Sequence, residues 1–196
     1  MGVTNMFLQV AVNTLGTAVV AAWSLTGKID GFNWVLSNAA ATSLMTFVGQ
    51  NYGAGKLERV RSGTRQTLAI SLVMTLFISA VIWRCAADIV ALFGLGDTAA
   101  AYCLSHLRAV AFINIILSLY LPLFGVFQGT GHSGVPMVVA VGALGMRVLV
   151  TYLFRHSDFL GPSVIWWNGI FGFGTGFLIS WTYYLSGRWM TAPKRR

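Results

Sequence analysis

Long apolar stretches dominate this chain, and short connections rich in glycine, proline or cations separate them. The apolar stretches cover residues 6–15, 19–50, 67–83, 101–127, 135–154 and 164–185. A helix of about 20 apolar residues can cross the hydrocarbon core of a bilayer, because its backbone groups bond to one another. The sequence therefore predicts an all-α integral membrane protein. We expect a bundle of about six transmembrane helices, of which the first, over 6–15, is truncated.

Composition supports a lipid environment and argues against nucleic-acid binding. Charged residues make up only 9% of the 196 residues, whereas 56% are hydrophobic. A soluble domain carries roughly 25% charged residues, so this chain has too few charges to cover a surface in water. The net charge of +8 would favour nucleic-acid binding in a soluble protein. Here the cations gather between apolar stretches and at the tail, a pattern that sets membrane orientation.

The distribution of cations predicts which side of the membrane each connection faces. If the chain crosses at every stretch, one side holds Lys56, Arg59, Arg61, Arg65, Arg188, Lys194, Arg195 and Arg196. The other side holds Arg84, Arg155, Asp88, Asp97 and Asp158. Because cytoplasmic connections are enriched in Lys and Arg, we expect a multi-pass protein of the inner or plasma membrane. The 53–65 connection and the C-terminus would be cytoplasmic. We expect residues 1–196 to form a single transmembrane lobe, in which 187–196 are a basic cytoplasmic tail.

One apolar stretch carries a row of polar residues that we call the polar stripe, Thr26, Asp30, Asn33 and Ser37. Spacings of four, three and four residues place them on one face of a helix. Asp30 is the only carboxylate within an apolar stretch. The stripe could line a cation or proton site on a substrate path. Equally, Asp30 could pair with Lys28 while the hydroxyl groups hold helices together.

Further polar residues occupy two other apolar stretches. Arg147 lies near the middle of its stretch, so its guanidinium must face the bundle interior and find acceptors. Asn114 and Ser118 precede Pro122, which frees a carbonyl and can bend the helix. Arg147 is either a structural anchor or a direct contributor to transport, and the bend is either static or part of a moving element.

The sequence contains no motif typical of an enzyme or a metal site. Cys85 and Cys103 flank one connection and could form a disulfide or remain free. His106 and the other two histidines lack metal-ligand spacing. We therefore expect no catalytic residues, no bound metal and no cofactor.

A glycine-rich turn carries the resemblance to a known family. Residues 46–56 read Thr-Phe-Val-Gly-Gln-Asn-Tyr-Gly-Ala-Gly-Lys and include Gln50, Asn51, Gly53 and Gly55. With segments 13–16, 20–23 and 27–30 before it and 127–131 with Pro136 after it, this turn resembles the later lobe of multidrug and toxic compound extrusion (MATE) transporters. The resemblance covers nearly all 196 residues. The chain departs from the family pattern at Ala143, four residues before Arg147, where many relatives place a glutamate, and at His132-Ser133.

The resemblance implies a transporter of about twelve helices in two pseudo-symmetric lobes, with substrate bound between them. This chain would be the C-terminal lobe of a multidrug efflux antiporter, and its ion and substrate pathway would include Thr26, Asp30, Asn33, Ser37, Asn114 and Arg147. The implied partners are membrane lipid, small-molecule drugs, H⁺ or Na⁺ as coupling ion, and either the missing N-terminal lobe or a second copy. Two alternatives remain open at this point: a lipid-linked saccharide flippase of the same superfamily, and an inactive truncated membrane subunit.

Overall fold

The computed structural model describes residues 12–13, 16–154 and 164–191. They form five α-helices and one 3₁₀ turn: α1 (Thr17–Gly53), α2 (Leu57–Leu92), α3 (Asp97–Gly129), α4 (Gly134–Phe154), α5 (Val164–Leu185) and the turn Arg188–Met190. The described residues contain no strand, so the prediction of an all-α fold is confirmed. The truncated helix predicted over 6–15 lies outside the described residues, apart from the helical pair Val12 and Asn13.

Three of the described helices, α2, α3 and α4, are long and apolar enough to cross a membrane. The two helices outside this group are α1, which carries the polar stripe, and α5, which carries Asn168. Length and composition thus confirm three of the predicted spans. For α1 and α5, crossing of the bilayer remains a prediction.

Four of the five described helices extend beyond the predicted apolar stretches, and α5 coincides with its stretch. The largest difference is in α2, which begins at Leu57 rather than at residue 67 and continues past Trp83 to Leu92. The added N-terminal part carries Arg61 and Arg65. Arginine is a good helix former, but it lowers hydropathy, so a search for apolar stretches finds only the part of a helix that suits lipid.

Helix α3 is the centre of the bundle. It packs most extensively against α1, and also against α2 and α5, while α4 packs mainly against α5. The close approach of α1 and α3 depends on small residues, because a Cβ atom on Gly125 would collide with the backbone oxygen of Ala41 and the backbone nitrogen of Met45. Such small-residue contacts are typical of helix pairs in membranes, where backbones approach closely and dispersion replaces the hydrophobic effect.

Small hydroxyl side chains connect α2 to α3. Ser71, Thr75 and Ser79 are buried at four-residue intervals along one face of α2. The Ser79 hydroxyl donates a hydrogen bond to the backbone oxygen of Ala111 at 2.9 Å. The regular spacing of these hydroxyl residues therefore reflects helix packing.

Two helices end in the same type of glycine turn. At the end of α1, Gly55 has a φ of +71° and the Lys56 amide donates to the Asn51 oxygen at 2.8 Å. At the end of α3, Gly131 has a φ of +85° and the His132 amide donates to the Phe127 oxygen at 2.6 Å. Both are Schellman turns, which use glycine because a Cβ atom disfavours positive φ. The residue with positive φ in the 46–56 turn is thus Gly55, whereas Gly53 is the last residue of α1.

We predict that Gly125→Ala destabilises the protein although alanine favours helix. The added methyl group would collide with the backbone of α1, and such overpacking costs about 1–3 kcal/mol. Gly145→Ala is the matched control, since a Cβ atom there meets nothing within 4 Å and alanine gains about 1 kcal/mol of helix propensity. Thermal unfolding in detergent should show a lower midpoint for Gly125→Ala alone. Equal midpoints for the two variants would contradict the close packing of α1 on α3.

Candidate functional site

The polar stripe of α1 faces the bundle interior. Thr26, Asn33 and Ser37 are buried, and Asp30 is half-buried. The Thr26 hydroxyl donates to the Ala22 oxygen at 2.8 Å and lies 3.7 Å from the Cys103 sulfur of α3. The periodicity of the sequence therefore identified the interior face of this helix correctly.

Asp30 has a hydrogen-bond donor on the neighbouring helix. The Asn114 side-chain nitrogen of α3 donates to an oxygen of Asp30 at 3.1 Å. The Asn114 side-chain oxygen is buried and has no hydrogen-bond partner, and both polar atoms of the Asn33 side chain are in the same condition. Buried polar atoms are normally paired, so these three atoms are exceptions in the part of the bundle around Asp30.

Arg147 is held by α5 and not by a carboxylate. Its Nε donates to the Asn168 side-chain oxygen at 2.9 Å, and the Asn168 side-chain nitrogen donates to the Thr151 hydroxyl at 2.7 Å. The guanidinium carbon lies 5.2 Å from the centre of the Phe173 ring, within the range of a cation–π contact. These contacts fix the stem and one face of the guanidinium while leaving its two terminal nitrogens without a hydrogen bond among the described residues.

Asp30 and Arg147 line the same cavity of about 500 Å³. Its wall is built by α1, α3, α4 and α5 and includes Trp23, Thr26, Asp30, Trp34, His106, Val110, Ile113, Leu117, Arg147, Trp166 and Phe173. The only ion pair found among the described residues joins Arg61 to Glu58, so the two charges in the cavity do not bond to each other. The volume lies within the range of sites that bind small organic molecules.

A smaller cavity of about 120 Å³ continues along the same wall. It shares Trp34, Arg147 and Phe173 with the larger one and reaches Tyr120 and Phe124 of α3. Arg147 therefore stands between a polar compartment that contains Asp30 and an aromatic compartment deeper along α3.

Three aromatic rings form a stack on the cavity wall. The His106 ring lies parallel to Trp23 at 5.0 Å and to Trp166 at 5.1 Å. The His106 Nδ1 atom is buried without a hydrogen-bond partner. The stack brings α1, α3 and α5 together at one end of the cavity.

His106, Asn168 and Trp166 also belong to the site, although no sequence pattern assigned them to it. The histidines were assessed only for metal-ligand spacing, whereas the His106 ring stacks on the buried Trp166. Asn168 is fully buried and is a polar residue within an apolar stretch. The rule that drew attention to Arg147 could therefore have found Asn168 as well.

The remaining predicted residues lie elsewhere. Asn33, Ser37 and Asn114 are buried, and none of them lines the cavity. Gln50 and Asn51 belong to the last turn of α1, and the Asn51 side-chain nitrogen donates to the Phe47 oxygen at 2.8 Å. The family turn thus shapes the connection between α1 and α2.

Cys85 and Cys103 are both free, which decides between the two alternatives given for this pair.

Chemically, the cavity can bind a cation and an anion at separate positions. Asp30 can bind a proton or a metal cation, and it can accept a hydrogen bond from an organic ammonium group. Arg147 can donate hydrogen bonds to an anionic or neutral oxygen. The indole and phenyl rings between them provide apolar surface for the body of a ligand and faces for cation–π contact.

A family model described as MatE matches residues 2–153, which is more than half of the chain. The chain belongs to the MatE family. Members of this family are membrane transporters and not enzymes, and the apolar helices of the present chain agree with a membrane location.

The similar proteins are longer than this MatE chain. It is 26% identical over 183 residues to the "Probable multidrug resistance protein NorM" of Halalkalibacterium halodurans, covering 91% of this chain and 40% of that protein. Two solved structures are described as the outward-facing and inward-facing conformations of a multidrug resistance MATE family transporter of the MOP superfamily. Their TM-scores are 0.85 and 0.81, each at 20% identity, and the matches cover 94% and 95% of this chain and 42% and 43% of theirs. The chain therefore spans less than half the length of these relatives, and the likeness to the solved structures shows the fold.

We predict that Asn168→Leu lowers stability because it leaves the Arg147 Nε without its acceptor. A buried donor of a charged group that loses its partner costs about 1–3 kcal/mol. Thermal unfolding in detergent should show this loss. Thr175→Val is the control, since Thr175 bonds only to its own helix at Phe171. The double variant Arg147→Met, Asn168→Leu should lose less than the sum of the two single variants, and strict additivity would contradict the coupling.

Proposed function

We propose that this chain forms one lobe of a multidrug efflux antiporter. It would export amphipathic organic compounds in exchange for H⁺ or Na⁺ by alternating access. The observation that carries the proposal is Asp30, a carboxylate that faces a cavity of about 500 Å³ and has one hydrogen-bond donor among the described residues, Asn114. An ionisable side chain inside a membrane bundle is costly and usually marks an ion or substrate path.

Competition at one carboxylate provides the coupling. A proton, a sodium ion and an organic ammonium group all need the same negative charge on Asp30. Binding of the coupling cation therefore lowers the affinity for the drug, and by linkage the drug lowers the affinity for the cation. Exchange then follows if the cation binds from one side of the membrane and the drug from the other.

Arg147 adds a positive charge to the cavity that contains Asp30. Because its terminal nitrogens are free among the described residues and it does not bond to Asp30, it keeps a fixed positive charge beside the competing cations. Such a charge weakens cation binding at Asp30 and so promotes release. The proposed pathway also includes Thr26, which lines the cavity, and the buried residues Asn33 and Ser37 of α1 and Asn114 of α3.

A counterpart lobe is the proposed partner. The chain matches outward-facing and inward-facing structures with similar TM-scores, which supports a lobe that keeps its fold while it rocks against another body. Large apolar side chains on α1 remain uncovered, and Phe32 is 82% exposed. An N-terminal lobe or a second copy would cover part of this surface, and lipid would cover the rest.

We also propose an orientation in the cell membrane, with the 53–65 connection and the C-terminus in the cytoplasm. Support comes from the contact between Arg61 Nη2 and the Met190 sulfur at 3.2 Å, which brings the start of α2 and the end of the described chain to the same side. Lys56, Arg59, Arg65 and Arg188 belong to these two segments. The pattern agrees with the positive-inside rule.

A lipid-linked saccharide flippase has less support. A diphosphate group needs several donors of positive charge, and among the residues that line the described cavity Arg147 is the one cation. The aromatic wall suits an organic cation better than a sugar diphosphate.

We predict that Asp30→Asn, made in the complete transporter that contains this lobe, abolishes coupled drug efflux. Loss of the charged acceptor should weaken binding of a cationic drug about 10- to 100-fold. For the unchanged protein, drug affinity should rise with pH, since fewer protons compete for Asp30. For Asp30→Asn it should be independent of pH. Drug binding and efflux in proteoliposomes provide the measurement.

Asp88→Asn is the matched control, because Asp88 is exposed on α2 and does not line the cavity. It should keep both efflux and its dependence on pH. If Asp30→Asn kept them as well, Asp30 would have no part in the mechanism. If neither the unchanged protein nor any variant transported drug, the result would contradict the antiporter proposal and favour an inactive membrane subunit.

A further inference from the structure

A second cavity, remote from Asp30, lies between the start of α2 and the end of α5. It has a volume of about 410 Å³. Arg61, Arg65 and Leu68 of α2 form one wall, and Trp181, Tyr184 and Leu185 of α5 form the other. We call it the arginine groove. None of its residues contributes to the proposed transport pathway.

The folded-back segment after α5 forms the floor of the arginine groove. Trp189 is buried, its indole nitrogen donates to the Tyr184 oxygen at 2.9 Å, and its ring stacks on Tyr184 at 5.4 Å. The Tyr52 hydroxyl donates to the Met190 oxygen at 3.2 Å. These contacts tie the segment to α1 and α5, so the groove has a fixed shape.

The two arginines differ in how they are held. Arg61 donates to Glu58 at 2.8 Å and to the Met190 sulfur at 3.2 Å, which fixes its guanidinium at the edge of the groove. Arg65 is exposed, and among the described residues it makes no hydrogen bond or ion pair. One guanidinium is therefore prepositioned and the other is free to bind.

The cations around the groove outnumber the carboxylates. The described residues at this end of the bundle include the cations Lys56, Arg59, Arg61, Arg65 and Arg188, whereas Glu58 is the one carboxylate there. Its charge is already used by Arg61. An anion from outside the chain would complete the site.

The groove becomes apolar in the direction of the membrane. Leu68 follows Arg65 by one helical turn, and Leu185 on the opposite wall is 73% exposed. The same face of α2 continues with Leu72 and Leu76, and Leu76 is 45% exposed. A ligand that fits this sequence of surfaces has an anionic head and long apolar chains.

We propose that the arginine groove binds an anionic phospholipid. Its phosphate would receive hydrogen bonds from Arg61 and Arg65, because the guanidinium fork matches phosphate oxygens. Its acyl chains would lie along Leu68, Leu72 and Leu76 of α2. Basic pockets between helices on the cytoplasmic side commonly bind anionic head groups. Trp181 and Tyr184 stand at the level where the aromatic side chains of membrane proteins meet the head groups.

Native mass spectrometry of the full-length protein in detergent tests the proposal. Phosphatidylglycerol and phosphatidylcholine with identical acyl chains serve as probes. The unchanged protein should retain phosphatidylglycerol preferentially. Arg65→Gln should weaken its binding about fivefold, and Arg61→Gln combined with Arg65→Gln should remove the preference. Arg65→Gln alone keeps the test interpretable if the double variant does not fold, since Arg65 makes no hydrogen bond or ion pair among the described residues.

Lys56→Gln combined with Arg59→Gln is the matched control. It removes the same charge at the same end of the bundle but spares the groove, so its preference for phosphatidylglycerol should persist. An equal loss in both double variants would overturn the proposal in favour of general attraction to a basic surface. No preference in the unchanged protein would overturn it as well. So would displacement of the lipid by millimolar inorganic phosphate, which would indicate a site for a soluble anion.

Discussion

A carboxylate can lie inside a membrane-spanning bundle only where water, a cation or hydrogen-bond donors compensate for its lost hydration. In this chain the close contact of α1 with α3 meets that constraint. Gly125 allows the two backbones to approach, and Asn114 then reaches Asp30 at 3.1 Å. Because a single amide does not satisfy a carboxylate, the cavity beside it must admit water or a ligand. The proposed transport site therefore depends on helix packing as much as on charge.

The position of Arg147 follows from the same constraint. In the absence of a glutamate four residues earlier, its Nε is held by Asn168 of α5, and its ring contact is with Phe173. The result is a cavity with two charges of opposite sign that do not neutralise each other. The arginine groove at the other end of the bundle shows a related arrangement, in which Arg61 is fixed and Arg65 is free. In both places fixed contacts leave charge available for a ligand.

The sequence predicted what depends on periodicity and could not predict what depends on contacts between helices. The polar stripe was assigned to the correct face because its spacing follows the helical repeat. The partner of Asp30 lies 84 residues away, and that of Arg147 lies on another helix, so neither pairing could be read from local spacing. His106 was missed because stacking with tryptophans from two other helices leaves no pattern in the sequence. The ends of α2 were missed because hydropathy measures lipid contact and not helix length.

The central claim is that the cavity beside Asp30 contains water while the protein is in a bilayer. Cysteine labelling tests it directly, after Cys85 and Cys103 have been replaced by alanine. Gly27→Cys places a thiol in the cavity wall, and Phe77→Cys places one on the exposed apolar face of α2. A charged, membrane-impermeant thiol reagent should modify Gly27→Cys in proteoliposomes and leave Phe77→Cys unmodified, since thiolate forms in water and not in lipid. Equal resistance of both thiols would contradict the account.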